Sequence, residues 1–167
     1  SVVLQAPPGS GKTTRVAPSL TGASWLANRK ILLLEPRRLA ARAAAAYMAR
    51  QRGEAIGQHI GYHISLDRKV GRGTKIELLT EGILIRRILS DPELLDTGLV
   101  IFDEFHERNL FADMAFALTL DIRRALRPDL RMLVMSATIR TGKIAEHMGD
   151  ADIHAAETRM YPVATRM

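Results

Sequence analysis

The chain opens on a short apolar run, Ser1 to Gln5. It is halted at once by Ala6-Pro7-Pro8-Gly9-Ser10-Gly11 and followed by Lys12-Thr13-Thr14 and a stretch of helical period ending at Leu20. Two prolines break a strand, and two glycines one residue apart give the backbone access to left-handed conformations. A strand, a tight turn and a helix must therefore follow one another without slack. That succession suits one arrangement above others, because parallel neighbours need crossovers and helices supply them.

The rest of the chain supplies them. Further apolar runs lie at Lys30 to Glu35, Lys75 to Thr80, Leu99 to Asp103 and Arg131 to Met135. Segments of helical period fall between and after them at Arg37 to Arg52, Glu81 to Ser90, Leu110 to Leu126 and Thr141 to Met148. His59 to Ser65 reads as one more strand, and Leu66 to Gly73 as a turn, since Asp67, Gly71 and Gly73 interrupt the apolar pattern. The expectation is an α/β fold, a mostly parallel central sheet with helices on both faces. At 167 residues the chain has the length of one domain, and a hydrophobic fraction of 47% with 25% charged residues is enough for a core.

Composition also narrows the partners. No apolar run approaches the ~20 residues that cross a bilayer, and the N-terminus has no signal-peptide pattern, so a membrane role is not expected and a cytoplasmic setting is. There are no cysteines, and the five histidines form no zinc-type pair, which leaves no basis for a structural metal. A net charge of +6 suits a polyanionic partner, although an arginine- and alanine-rich composition can arise from base composition alone.

Three strand ends carry chemistry. In the first, Gly9 and Gly11 can turn successive N–H groups inward at a helix N-terminus, so Pro8, Gly9, Ser10, Gly11, Lys12, Thr13 and Thr14 form a phosphate cradle of the P-loop kind. Lys12 would reach the β and γ phosphates of ATP, and the Thr13 hydroxyl would ligate Mg²⁺. Ala6 stands where such a loop commonly begins with glycine. The second is Leu99 to His106, an apolar run ending in Asp103-Glu104, where Asp103 would anchor the Mg²⁺ and Glu104 would orient and deprotonate an attacking water. The third, Met135-Ser136-Ala137-Thr138, places two hydroxyls at the same sheet edge. Each has a plainer counterpart in a solvated or capped helix start.

Taken in order, Gly-Ser-Gly-Lys-Thr, Pro36-Arg37-Arg38, Thr80-Glu81-Gly82, Asp103-Glu104-Phe105-His106-Glu107-Arg108 and Ser136-Ala137-Thr138 resemble the motifs of the first RecA-like domain of superfamily-two helicases. The resemblance covers nearly the whole chain and is nearest to the DEAH/RHA group. Phe105, where the DEAH motif has alanine, is similar to the HrpB-type branch of bacterial ATP-dependent RNA helicases. The resemblance implies that His106, Ser136 and Thr138 couple nucleotide state to domain movement. It also implies that Arg37, Arg38, Thr80, Glu81 and Gly82 face the backbone of single-stranded RNA, a role that suits arginines at a strand end and the N–H groups of a helix start. In this group an arginine stacks on the nucleotide base where Tyr47 stands here, so Tyr47 is either a stacking residue or a core aromatic.

A second RecA-like domain, with its arginine finger, is not found among the residues after Thr138. A piece of a longer protein is expected, monomeric by itself and with little or no hydrolysis or unwinding of its own. The alternative is an RNA-binding adaptor with a nucleotide-binding domain and no turnover. RNA rather than DNA rests on the resemblance alone.

Overall fold

Ile31-Leu32-Leu33-Leu34 is buried along its whole length, as a strand must be when helices cover both faces of its sheet. Side chains alternate across a strand, so the run divides: Leu32 and Leu34 enter one core, Ile31 and Leu33 the other. The computed structural model describes residues 1–7, 9–137, 141–149 and 151–156. Pro8 and Thr138, both named from the sequence, lie outside the described residues.

The strands are β1 (Val2–Gln5), β2 (Lys30–Leu34), β3 (Ile60–Ile64), β4 (Asp67–Lys69), β5 (Ile76–Leu79), β6 (Thr97–Phe102), β7 (Arg131–Ser136) and β8 (Asp152–Ala155). The helices are α1 (Lys12–Leu20), α2 (Arg38–Gln51), α3 (Glu81–Ser90), α4 (Leu110–Ala125) and α5 (Thr141–His147). The strands form one sheet in the order β4-β3-β5-β2-β6-β7-β1-β8, parallel throughout except where β4 pairs with β3. This is the α/β architecture expected from the sequence, a mostly parallel sheet with helices on both faces.

Helices α3, α4 and α5 pack on one face through Ile83, Leu84, Ala112, Leu120 and Ala145. The other face carries α1 through Ala17 and α2 through Ala41, Ala45, Met48 and Ala49. Spacings of four and three along α2 make one stripe, and small alanines let that helix lie close to the strands. No described helix is long and apolar enough to cross a membrane.

Two segments depart from the sequence expectation. Leu66 to Gly73 is not a plain turn: Asp67–Lys69 is a strand, and the reversal is confined to Ser65 and Leu66, with Leu66 at φ 67°. A leucine in that conformation carries no sequence signal. Gly61 makes the pairing possible, because a Cβ there would run into the Lys69 carbonyl oxygen. The other is β8, an edge strand whose four residues are all exposed and therefore show no alternation.

Candidate nucleotide and nucleic-acid site

The parallel strands around β1, β2, β5, β6 and β7 all end at one edge, and the described residues of the motifs singled out from the sequence lie there or at the start of the helix that follows. Gly9 and Gly11 take φ of 75° and 78°, so the turn between β1 and α1 uses both glycines in the left-handed region. Gly11 is the N-cap of α1, with its carbonyl accepting the Arg15 N–H at 3.0 Å and the Thr14 N–H at 3.1 Å. The Thr14 hydroxyl donates to the same oxygen at 3.3 Å. The Ser10 hydroxyl is buried without a hydrogen-bond partner among the described residues.

Strand order determines what faces this turn. β1 and β6 are not neighbours, because β7 lies between them, and the segments that follow the two strands converge across the tip of β7. Lys12, buried to 5% exposure, donates to Glu104 Oε1 at 2.9 Å. The Thr13 hydroxyl donates to Asp103 Oδ2, and the Glu104 N–H donates to Asp103 Oδ1 at 2.8 Å. Burial pushes the Asp103 carboxyl above its ordinary range, against the pull of the Thr13 hydroxyl and the Glu104 N–H. The buried Lys12 and the half-buried Glu104 thus occupy one another, as do the Thr13 hydroxyl and the buried Asp103.

Past Asp103 the chain makes a 3-10 turn, Phe105–Glu107, bracketed by two non-glycine residues in the left-handed region: Glu104 at φ 48° and Arg108 at φ 40°. Phe105 anchors the turn. Its ring is 4% exposed and meets Phe102 edge-on at 5.9 Å and Phe116 at 5.1 Å. The phenylalanine in the acidic motif is therefore a core side chain that ties the turn to β6 and α4. His106 Nδ1 accepts the Ala137 N–H at 3.3 Å and lies 3.4 Å from Glu104 Oε2. Accepting there leaves the proton of a neutral ring on Nε2. Ser136, the last residue of β7, is 2% exposed, and its carbonyl accepts the Ala6 N–H at 3.0 Å.

Farther along the same edge, Arg37 and Arg38 are exposed at the start of α2. Thr80 is the N-cap of α3 without a side-chain cap bond; its carbonyl accepts the Ile83 and Leu84 N–H groups at 3.0 and 3.1 Å. Glu81 is buried and Gly82 exposed in the first turn of α3. Tyr47 is 44% exposed on α2, which overturns the core-aromatic reading of that residue.

Three residues of this edge were not singled out from the sequence. Glu35, 5% exposed at the end of β2, accepts the Arg37 N–H at 3.3 Å. Burial, reinforced by the Asp103 and Glu104 carboxylates and opposed by the Arg37 N–H, pushes its carboxyl up to about 7. Its signal was an acid between an apolar run and Pro36. Glu107 pairs with the Arg37 guanidinium. Asn109 caps α4 by accepting the Ala112 N–H at 2.8 Å and donates to Glu81 Oε1 at 3.2 Å, which links the acidic turn to the start of α3.

Residues 1–146 match the DEAD/DEAH box helicase family. The chain belongs to that family. It is 46% identical over 165 residues to the ATP-dependent RNA helicase HrpB of Escherichia coli (strain K12), covering 99% of this chain and 20% of that protein. It is 35% identical over 162 residues to the ATP-dependent RNA helicase HrpA of Borreliella burgdorferi, covering 97% of this chain and 20% of that protein. The crystal structure of the Escherichia coli DEAH/RHA helicase HrpB superposes with a TM-score of 0.90 at 46% identity, covering 97% of this chain and 21% of the other. The chain therefore spans about a fifth of the length of these helicase relatives.

Proposed function

We propose that this helicase-family domain is the first RecA-like half of a DEAH-type, ATP-dependent RNA helicase, and that it grips ATP and Mg²⁺ at the edge where β1 and β6 converge. The observation that carries the reading is the pair of contacts Lys12–Glu104 and Thr13–Asp103, which join two motifs about ninety residues apart. Each contact is a stand-in. A cation on a carboxylate occupies the place of a cation on a phosphate, and a hydroxyl on a carboxylate brings together the two oxygen donors that a magnesium site of this class uses.

Each residue then has a task. The main-chain N–H groups from Pro8's successor Gly9 through Thr14, with the α1 dipole, hold phosphate oxygens, and the buried Ser10 hydroxyl adds a donor. Lys12 leaves Glu104 for the β and γ phosphates. Thr13 and Asp103 would hold Mg²⁺, which fits a hydroxyl and an acid whose ionised form burial disfavours; bound there, the ion neutralises phosphate charge. Freed from Lys12, Glu104 orients water and accepts its proton. His106, between Glu104 and the Ala137 N–H, couples this event to the Ser136–Thr138 segment and through it to a second RecA-like domain. Tyr47, exposed on α2, offers a π face to the base.

Single-stranded RNA runs across the starts of α2 and α3. There Arg37 and Arg38 meet phosphates, and Thr80, Glu81 and Gly82 present the helix terminus, which yields backbone binding without base recognition. The parent protein is placed in the cytoplasm, with this domain monomeric by itself and nearly inactive without the second domain. The test is ATP turnover by the parent protein with and without RNA. Wild type is expected to be stimulated by RNA, and Lys12→Ala to fall to background. An RNA-binding protein with no turnover in either form would establish the adaptor alternative instead.

A further inference from the structure

Arg37 and Glu107 come from segments seventy positions apart, yet their charged ends are paired above the sheet edge. Arg37 is otherwise open: its side chain is 70% exposed, that of Glu107 30%. Both are held at the main chain. The Arg37 N–H is fixed on Glu35 Oε1 at 3.3 Å. The Glu107 N–H donates to the Glu104 carbonyl at 2.9 Å, closing the 3-10 turn on the residue whose carboxylate holds Lys12. A continuous path of bonds thus runs from Lys12 through Glu104 and Glu107 to Arg37.

The turn within that path is strained. Glu104 and Arg108, on either side of the turn, take positive φ values that cost a side-chain-bearing residue energy and that persist only while surrounding contacts enforce them. Glu107 supplies one such contact through Arg37. The pair is exposed, and exposed ion pairs are weak. A nucleic-acid phosphate competes with a single carboxylate on better terms, because its binding also releases counterions from the polyanion.

We infer that Glu107 is a positioning residue that occupies Arg37 until an RNA phosphate displaces it, so that RNA arrival loosens the turn carrying Glu104. The inference deepens the proposed function and rests on Arg37 being a backbone contact. RNA binding at α2 and water activation at β6 are then linked by one displaced carboxylate, with no movement of the sheet.

The experiment measures two quantities in the parent protein: affinity for a single-stranded oligouridylate RNA and ATP turnover without RNA. Glu107→Gln is expected to tighten the RNA Kd about two- to fivefold, the scale on which an exposed pair resists displacement, and to raise RNA-free turnover by a similar factor. In an Arg37→Ala background the same substitution is expected to change neither. An unchanged Kd, unchanged RNA-free turnover, or equal tightening in both backgrounds, which would mean generic charge, overturns the inference. If Arg37→Ala alone binds RNA like wild type, the backbone-contact reading falls and takes the inference with it. If Arg37→Ala weakens binding while Glu107→Gln does nothing, only the inference falls. A thermal melt of each variant shows that the fold is retained.

Discussion

The two edges of the sheet treat buried charge in opposite ways. At the edge where the strands begin, Arg127 is 7% exposed and spends its donors on fixed acceptors: the carbonyls of Glu93, Leu94 and Thr97 at 2.7, 3.0 and 3.1 Å, and both oxygens of Asp129 at 2.8 and 3.0 Å. Asp129 also takes Arg29, and the two guanidinium groups hold its carboxyl far below the ordinary range. At the edge where the strands end, Lys12 has a carboxylate, Asp103 has a hydroxyl, and Glu35 is crowded by both neighbouring acids. The first arrangement is saturated and joins β6 to β7. In the second the partners are side chains, which the proposed triphosphate and cation would replace. Saturation suits a contact that keeps the molecule folded, and mutual occupation suits the proposed binding site.

The sharpest way to break the comparison is at Glu104. Glu104→Gln in the parent protein is expected to lower RNA-stimulated turnover by about 10² to 10⁴, the usual contribution of a positioned base, while nucleotide binding and the melting temperature hold. A variant that melts far below wild type would place Glu104 among the structural residues. Arg127→Ala should do the reverse. It strands three carbonyls and leaves Asp129 with Arg29 alone, and is expected to cost about 2 to 4 kcal/mol in urea unfolding, with turnover per folded molecule intact.

The smallest effect sharpens the contrast through pH. Glu35 has its folded pKa raised to about 7 from an ordinary 4.5, so the folded state binds its proton more tightly than the unfolded chain. That contribution is complete below the unfolded value and is lost as pH rises through the folded one. Thermal stability should therefore fall between about pH 5 and about pH 8 by more in wild type than in Glu35→Gln. Parallel profiles would show that Glu35 is not the titrating group.

Much of this was legible in the chain. Buried strands such as Ile31–Leu34 read as uninterrupted apolar runs, and glycine spacing gave the turn before Lys12. The turn carrying Lys12 and Thr13 and the strand end carrying Asp103 and Glu104, assigned from the sequence to one Mg²⁺-bound nucleotide, are in contact, although the pairing of Lys12 with Glu104 was not foreseen. What was hidden depends on neighbours rather than on pattern. The residues of β8 are exposed and take strand form only because β1 offers an open side. The β3–β4 reversal rests on a left-handed leucine. Glu35, Glu107 and Asn109 are ordinary polar residues until the topology sets them against Asp103, Arg37 and Glu81.

The sheet order has a consequence for how the chain matures. Among the described strands β1 is joined to the body of the sheet only through β7, which follows it by about 130 residues, so β1 is made before it has that parallel neighbour to receive it. The glycine turn is therefore made well before the strand that seats it. A nascent chain cut before Arg131 would leave its lysine without a sheet to stand on.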